Sequence, residues 1–151
     1  MARLEDEIKQ PKFQNEHIKS HLNVLFTANW LYNKISSQLK PFNLTHEQFN
    51  VLRILKGSHP NKMSQKDVLS RMIAPKSNIT LIVKKLVVKE LIVVQQSAMD
   101  KREYEINITE AGLCLLDQVG EALINNSGSI GKLNESEAFH LNALLDKLRD
   151  E

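Results

Sequence analysis

The side chains in this chain that can do chemistry are cations, hydroxyls and amides rather than nucleophiles or paired carboxylates. From Ala74 to Leu86 the run A-P-K-S-N-I-T-L-I-V-K-K-L sets Lys76, Ser77, Asn78, Thr80 and Lys84 on or beside one side of a helical period, and Asp100-Lys101-Arg102 forms a second cluster further on. The chemistry these groups offer is non-covalent. Hydroxyls and helix N-termini hold phosphate oxygens, an asparagine can face an adenine edge with both its amide groups, and a guanidinium is drawn to the negative potential of a DNA minor groove. Asp100 is spaced to hold Arg102 through a paired hydrogen bond.

Charge follows the same segments. The chain is only +2 overall, yet from Arg53 to Arg102 it has eleven Lys/Arg against three Asp/Glu, a net +8 that leaves −6 for the remainder. A basic middle between a nearly neutral N-terminal third and an acidic C-terminal third implies one surface that attracts phosphate. A charge cluster by itself is often just a solvated face, so the case depends on the elements that present it.

Those elements can be read from periodicity and caps. Pro75 suits the first turn of a helix running to about Lys89, with Ile79, Ile82, Val83 and Leu86 as its buried stripe and Ser77, Leu81, Lys84 and Val88 opposite. Ser64 is placed to cap a short preceding helix whose Val68, Leu69 and Met72 face inward, so the two make a helix-turn-helix. Leu91 to Gln96 has strand character, and Tyr104, Ile106 and Ile108 alternate with Glu103, Glu105 and Asn107. The two runs form a hairpin tipped by Ser97 to Arg102. Helix, strand, basic tip, strand is the order of a winged helix.

Around this unit lie more helices. One spans about Glu16 to Lys40 and stops at Pro41, and Thr45-x-x-Gln48 opens another with Phe49, Leu52 and Leu55 inward. Thr109 to Gly112 starts a helix carrying Leu113, Leu116, Val119 and Leu123, and Asn134 with Glu137 caps a last one striped by Leu141, Leu144, Leu145 and Leu148. The first and last helices offer apolar surface that one copy could not easily cover, which implies a dimer packed through them.

The bulk numbers agree with one soluble, single-domain protein: 151 residues, 42% hydrophobic and 25% charged. Leu91 to Val94 is far too short to span a bilayer, and the opening M-A-R-L-E-D-E-I-K-Q lacks the apolar core of a signal peptide, so no membrane association and a cytoplasmic location are expected. Cys114 is the sole cysteine, which excludes an intrachain disulfide or cysteine-based zinc cluster; set among Leu113, Leu115 and Leu116, it is expected to be buried and inert. Nucleotide-binding glycine loops and the serine-hydrolase elbow are absent, and neither an enzyme nor a cofactor is expected.

In order and spacing, these segments resemble the MarR family of bacterial transcriptional regulators from about Glu16 to Leu148. The likeness is carried by S-Q-K-D-V-L at Ser64 to Leu69, by K-S-N-I-T…V-K-K-L…L-I from Lys76 to Ile92, and by D-x-R at Asp100 to Arg102 followed by I-T-E-A-G at Ile108 to Gly112. The resemblance implies a mainly α (α+β) fold over 1–151, with a winged helix-turn-helix lobe at 41–109 and dimerisation helices at 16–40 and 110–150. It also implies a homodimer on a pseudo-palindromic double-stranded DNA operator, usually a repressor released by a small molecule or an oxidant.

Carried over by residue, Ser77, Asn78 and Thr80 resemble base or phosphate contacts and Lys76 and Lys84 phosphate or base-edge contacts. Ser64 and Gln65 resemble backbone anchors, and Asp100, Lys101 and Arg102 the wing. By the same resemblance, Trp30, Tyr32 and Phe49 are candidates to line a cleft for a small aromatic or phenolic effector; as plain residues they read as packing. Leu81 stands where the family often has a polar or basic residue, and Glu90 where it commonly has glycine. No cysteine lies in the first helix, as oxidant-sensing relatives require. His17 and His21, one turn apart, lack the further ligands of zinc-responsive relatives, so no metal is expected. The alternative is a winged-helix module that binds a ligand or protein without reading DNA, and absent or salt-insensitive duplex binding would distinguish it.

Overall fold

The computed structural model describes residues 3–74, 78–125 and 132–150, and divides into two compact units, Met1–His46 and Glu47–Glu151. In the first unit a short helix, α1 (Leu4–Glu7), precedes the long α2 (Glu16–Leu39). The Asn15 side chain caps α2 by accepting the Ile18 N–H at 2.9 Å. At its far end Pro41 falls in a 3-10 turn, Lys40–Phe42, and Asn43 takes a left-handed conformation with φ 53°, which asparagine tolerates. Leu4 is buried, and the Glu5 carboxylate accepts from Lys19 Nζ at 2.6 Å and from Arg3. Those bonds, Lys19 first, lower the Glu5 pKa to about 2.

The second unit is the expected helix-and-hairpin arrangement with one addition. Helix α3 (His46–Ser58) buries Val51, Leu52 and Leu55. It also buries Gln48, whose Oε1 accepts from Lys89 Nζ at 2.9 Å; burial, then Lys85, lowers the Lys89 pKa. The added element is β1 (Met63–Ser64), antiparallel to β3 (Tyr104–Ile108), which also pairs with β2 (Ile92–Gln96) to give the order β1-β3-β2. Ile92 pairs with Ile108 and Val94 with Ile106. Their shared face carries the buried Ile92, Ile106 and Ile108, as the alternation requires. Tyr104 breaks the expected inward pattern: at 56% exposure it stands beyond the core, at the base of the hairpin tip.

Helix α4 (Gln65–Ser70) is capped by Ser64 and buries Val68. Helix α5 (Ile79–Val88) starts later than expected. Asn78, with ψ 83°, is outside the helical range and serves as its N-cap, so no continuous helix runs through it from Pro75, itself outside the described residues. Val83 and Leu86 form the buried stripe. At the C-terminal end Leu91 N–H donates to Leu86 O and Glu90 N–H to Val87 O, the paired bonds of a Schellman motif, with Glu90 at φ 58° in the position glycine usually holds.

Thr109 locks this corner to α6 (Glu110–Asn125). Its hydroxyl donates to Glu90 O at 2.8 Å and accepts from Gly112 N–H at 3.1 Å, while its own N–H donates to Leu91 O. The approach is so close that a Cβ on Gly112 would lie 2.3 Å from Leu91 O and 2.7 Å from Ile108 Cγ1. Gly112, Leu116 and Val119 form the inner face of α6. Cys114 lies on the other side and is exposed, contrary to expectation, because two residues along a helix rotate a side chain by roughly 200° whatever its neighbours are.

Helix α7 (Glu135–Leu148) has the expected capping box, Asn134 Oδ1 accepting Glu137 N–H and Glu137 Oε2 accepting Asn134 N–H. Its leucine stripe is left uncovered, in line with the apolar surface expected of the last helix. No residue of α7 is buried, and Phe139, Leu141, Leu144 and Leu148 are exposed. The Asn125-to-Gly131 linker lies outside the described residues from 126 onward, and no helix among the described residues is long and apolar enough to cross a membrane.

Candidate nucleic-acid interface

Ser64, Gln65, Asn78 and Thr80 are each held by a nameable local contact. Ser64 Oγ accepts Asp67 N–H at 3.1 Å and donates to Asp67 Oδ2 at 2.7 Å, so its hydroxyl proton is committed inside α4. Gln65 and Thr80 meet across the helix-turn-helix, Thr80 Oγ1 donating to Gln65 Oε1 at 3.4 Å, which ties α4 to α5. Asn78 Oδ1 accepts Leu81 N–H at 3.2 Å. That oxygen is the acceptor a bidentate adenine contact would use, so the expected reading requires Asn78 to share it with the helix N-terminus. Lys76 and Ser77 lie outside the described residues.

What α5 turns outward is mixed in character. Opposite the Val83 and Leu86 stripe stand Leu81, Lys84 and Val88, all exposed. Lys84 joins no ion pair among the described residues, nor do Lys66 and Lys85, whereas Lys56 pairs with Asp117 and Lys62 with Glu105. A cation without a carboxylate partner approaches a phosphate without first breaking a contact.

The wing is braced more thoroughly than its polar composition suggested. Ser97, expected on an exposed tip, is buried: its N–H donates to Glu103 O, and its hydroxyl donates to Glu105 Oε1 at 2.9 Å and accepts from Met99 N–H. The Gln96 amide donates to Lys101 O. Asp100 does not pair with the Arg102 guanidinium as expected. Its Oδ1 accepts the Arg102 main-chain N–H at 2.9 Å, because a carboxylate two residues back closes an Asx turn more readily than it reaches an extended side chain. Lys101 and Arg102 are therefore exposed on a fixed backbone, with their charged ends outside every ion pair among the described residues. Sequence reasoning passed over Gln96, Ser97 and Glu105 as wing braces; their only signal was a polar residue at each strand end.

The effector candidates are not used alike. Trp30 lines an open hollow of about 200 Å³ with Leu4, Glu7, Asn23, Phe26 and Thr27. Tyr32 is not part of it and stacks on His46, ring centroids 3.9 Å apart, while His46 Nε2 lies 2.8 Å from Tyr32 O. Phe49 is half-buried on α3. No group of three or more His, Cys, Asp or Glu among the described residues is placed to hold a metal ion.

The model of the MarR family matches residues 44–104, from just before α3 through the wing to the start of β3. Residues 44–104, the helix-turn-helix and most of the wing, thus match a MarR family domain. The proteins this chain is similar to include transcriptional regulators. The HTH-type transcriptional regulator MgrA of Staphylococcus aureus is 28% identical over 126 residues, which are 82% of this chain and 84% of that protein. AbsC, a MarR family transcriptional regulator from Streptomyces coelicolor, superposes with a TM-score of 0.79 at 19% identity, covering 91% of this chain and 94% of that one. BpsR of Bordetella bronchiseptica, whose DNA binding is regulated by 6-hydroxynicotinic acid, superposes at 0.74 with 22% identity over 87% of this chain and 93% of that one. Within the MarR frame the departure at Glu90 has a physical form, a glutamate in a left-handed corner.

Proposed function

We propose that this chain binds a pseudo-palindromic DNA operator as a homodimer, with α5 in the major groove and the β2–β3 wing at the adjacent minor groove, and represses transcription until a small aromatic or phenolic acid releases it. The observation that carries the reading is that Lys84, Lys101 and Arg102 are exposed, free of ion pairs among the described residues, and mounted on backbone fixed by Asn78, Gln96, Ser97 and Asp100. Preset cations lose little entropy on meeting phosphates. Pairing is supported by the apolar faces left uncovered on α2, at Leu25, and on α7, at Phe139 and Leu144. A symmetric pair covering them would present two recognition helices to two half-sites. Effector control is supported by the behaviour of BpsR, and Trp30 is the candidate ring nearest an open hollow.

The test is a fluorescence-anisotropy titration of duplex fragments selected from the source genome. Affinity should fall on the order of 10³-fold between about 50 and 200 mM salt if some six phosphates are neutralised, and Lys84→Ala and Arg102→Ala should each flatten the log–log salt slope by roughly one. Salt-independent affinity, or slopes unchanged in both variants, would refute the assignment.

A further inference from the structure

We infer that Leu81 is a specificity-determining residue that recognises thymine in the operator through its 5-methyl group; this rests on the DNA-binding reading above. The starting point is what α5 has left to read bases with. Asn78 Oδ1 is bonded to Leu81 N–H, and the Thr80 hydroxyl is turned to Gln65 Oε1 on α4. Of the described polar side chains expected to read base edges from the N-terminal half of α5, neither offers a fully free hydrogen-bonding edge.

The outward face instead presents Leu81, 48% exposed in the first turn, Lys84 one turn on, and Val88, 84% exposed at the far end. Leu81 is the third residue of the helix, with its N–H anchored by the cap, so its side chain leaves the N-terminal turn at a set angle, and recognition helices contact base edges through this part. A branched aliphatic end cannot discriminate hydrogen-bonding patterns. The one apolar feature on the floor of the major groove is the thymine methyl, which makes thymine the base such a side chain distinguishes. Lys84, one turn away on the same stripe, supplies the charge complementarity that brings this apolar end to a polyanion instead of an apolar protein surface. Burying one methyl corresponds to about a four-fold change in affinity.

The experiment uses the full-length protein and a duplex selected by it from a random library, with each thymine replaced singly by deoxyuridine, which removes the methyl and keeps base pairing. For the unaltered protein, at least one thymine in each half-site should lose about three- to five-fold in affinity on this change. In Leu81→Ala, which withdraws the branched end from an exposed position, the ratio at that thymine should fall to near one. Leu81→Met should retain it, and Lys84→Ala should weaken both duplexes while keeping the ratio. Unchanged thymine-to-deoxyuridine ratios in Leu81→Ala, or no sensitive thymine, would overturn the inference and leave DNA binding standing. Failure of the folded protein to bind any duplex in the library would overturn both.

Discussion

Replacing Glu90 by glycine should make the protein more stable, although it removes a side chain. Glu90 ends α5 at φ 58°, where a Cβ crowds the following carbonyl at a cost of about 1–2 kcal/mol. Glycine escapes that cost but gives back about 0.4–1 kcal/mol through its looser unfolded chain. The carboxylate also sits just past the negative end of the helix dipole, so deleting it gains a few tenths of a kcal/mol. The net is about 1 kcal/mol, which for a chain of this length raises the thermal midpoint by roughly 3 °C. The paired bonds to Leu86 O and Val87 O and the Thr109 hydroxyl contact use only main-chain atoms of the corner, so they survive the change. Urea denaturation followed by circular dichroism, alongside calorimetry, would measure it, with Glu90→Ala as the control that removes the charge and keeps the Cβ. Glycine no better than alanine, or a fall in stability, would refute the strain argument.

Three other expectations follow from contacts of the same kind. Gly112→Ala should cost on the order of 3 kcal/mol in urea denaturation, since its Cβ would meet the Leu91 carbonyl at 2.3 Å and neither backbone segment can yield; a loss within experimental error would mean the α6 contact is slack. Asn78→Ala should lose about 1 kcal/mol of stability through the cap, while Asn78→Asp keeps the cap and weakens duplex binding by like charge; if both variants keep full stability, the cap is not what Asn78 supplies. The Glu5 pKa is lowered to about 2, so the contact of α1 with α2 is intact above the ordinary carboxylate pKa and lost as pH falls through about 4.5 to 2. Amide protection factors at residues 4–8, taken relative to the intrinsic exchange rate at each pH, should fall over that window and recover on neutralisation, whereas Lys19→Met should lack that protection already at neutral pH; protection unchanged by either would show that the ion pair does not hold α1.

The parts of this molecule that were legible in its sequence are those decided within a turn or two of chain. Ser64 before α4 and Asn134 with Glu137 before α7 announce their caps because donor and acceptor lie three residues apart. The hairpin is legible because Ile106 and Ile108 alternate with polar neighbours and share the sheet's buried face with Ile92. What failed depended on which side of an element faces what. Cys114 borrowed an apparent burial from adjacent leucines that point elsewhere on α6. Pro75 reads as the start of α5, whereas Asn78 is the residue that caps it. The two-residue β1 has no period to detect and exists only because β3 offers it a partner. At the candidate interface the cations are visible as residue types while their supports are not: the Asp100 contact with the Arg102 main chain and the Ser97 contact with Glu105 are set by the geometry of the turn.

The ratio of dissociation constants for a selected operator and a scrambled duplex of equal length, measured at about 150 mM salt, goes to the heart of the matter. If α5 reads bases while the wing and Lys84 grip phosphate, the operator should bind at least about 10³-fold more tightly. Equal affinity for the two duplexes would mean that the basic surface attracts DNA without reading it.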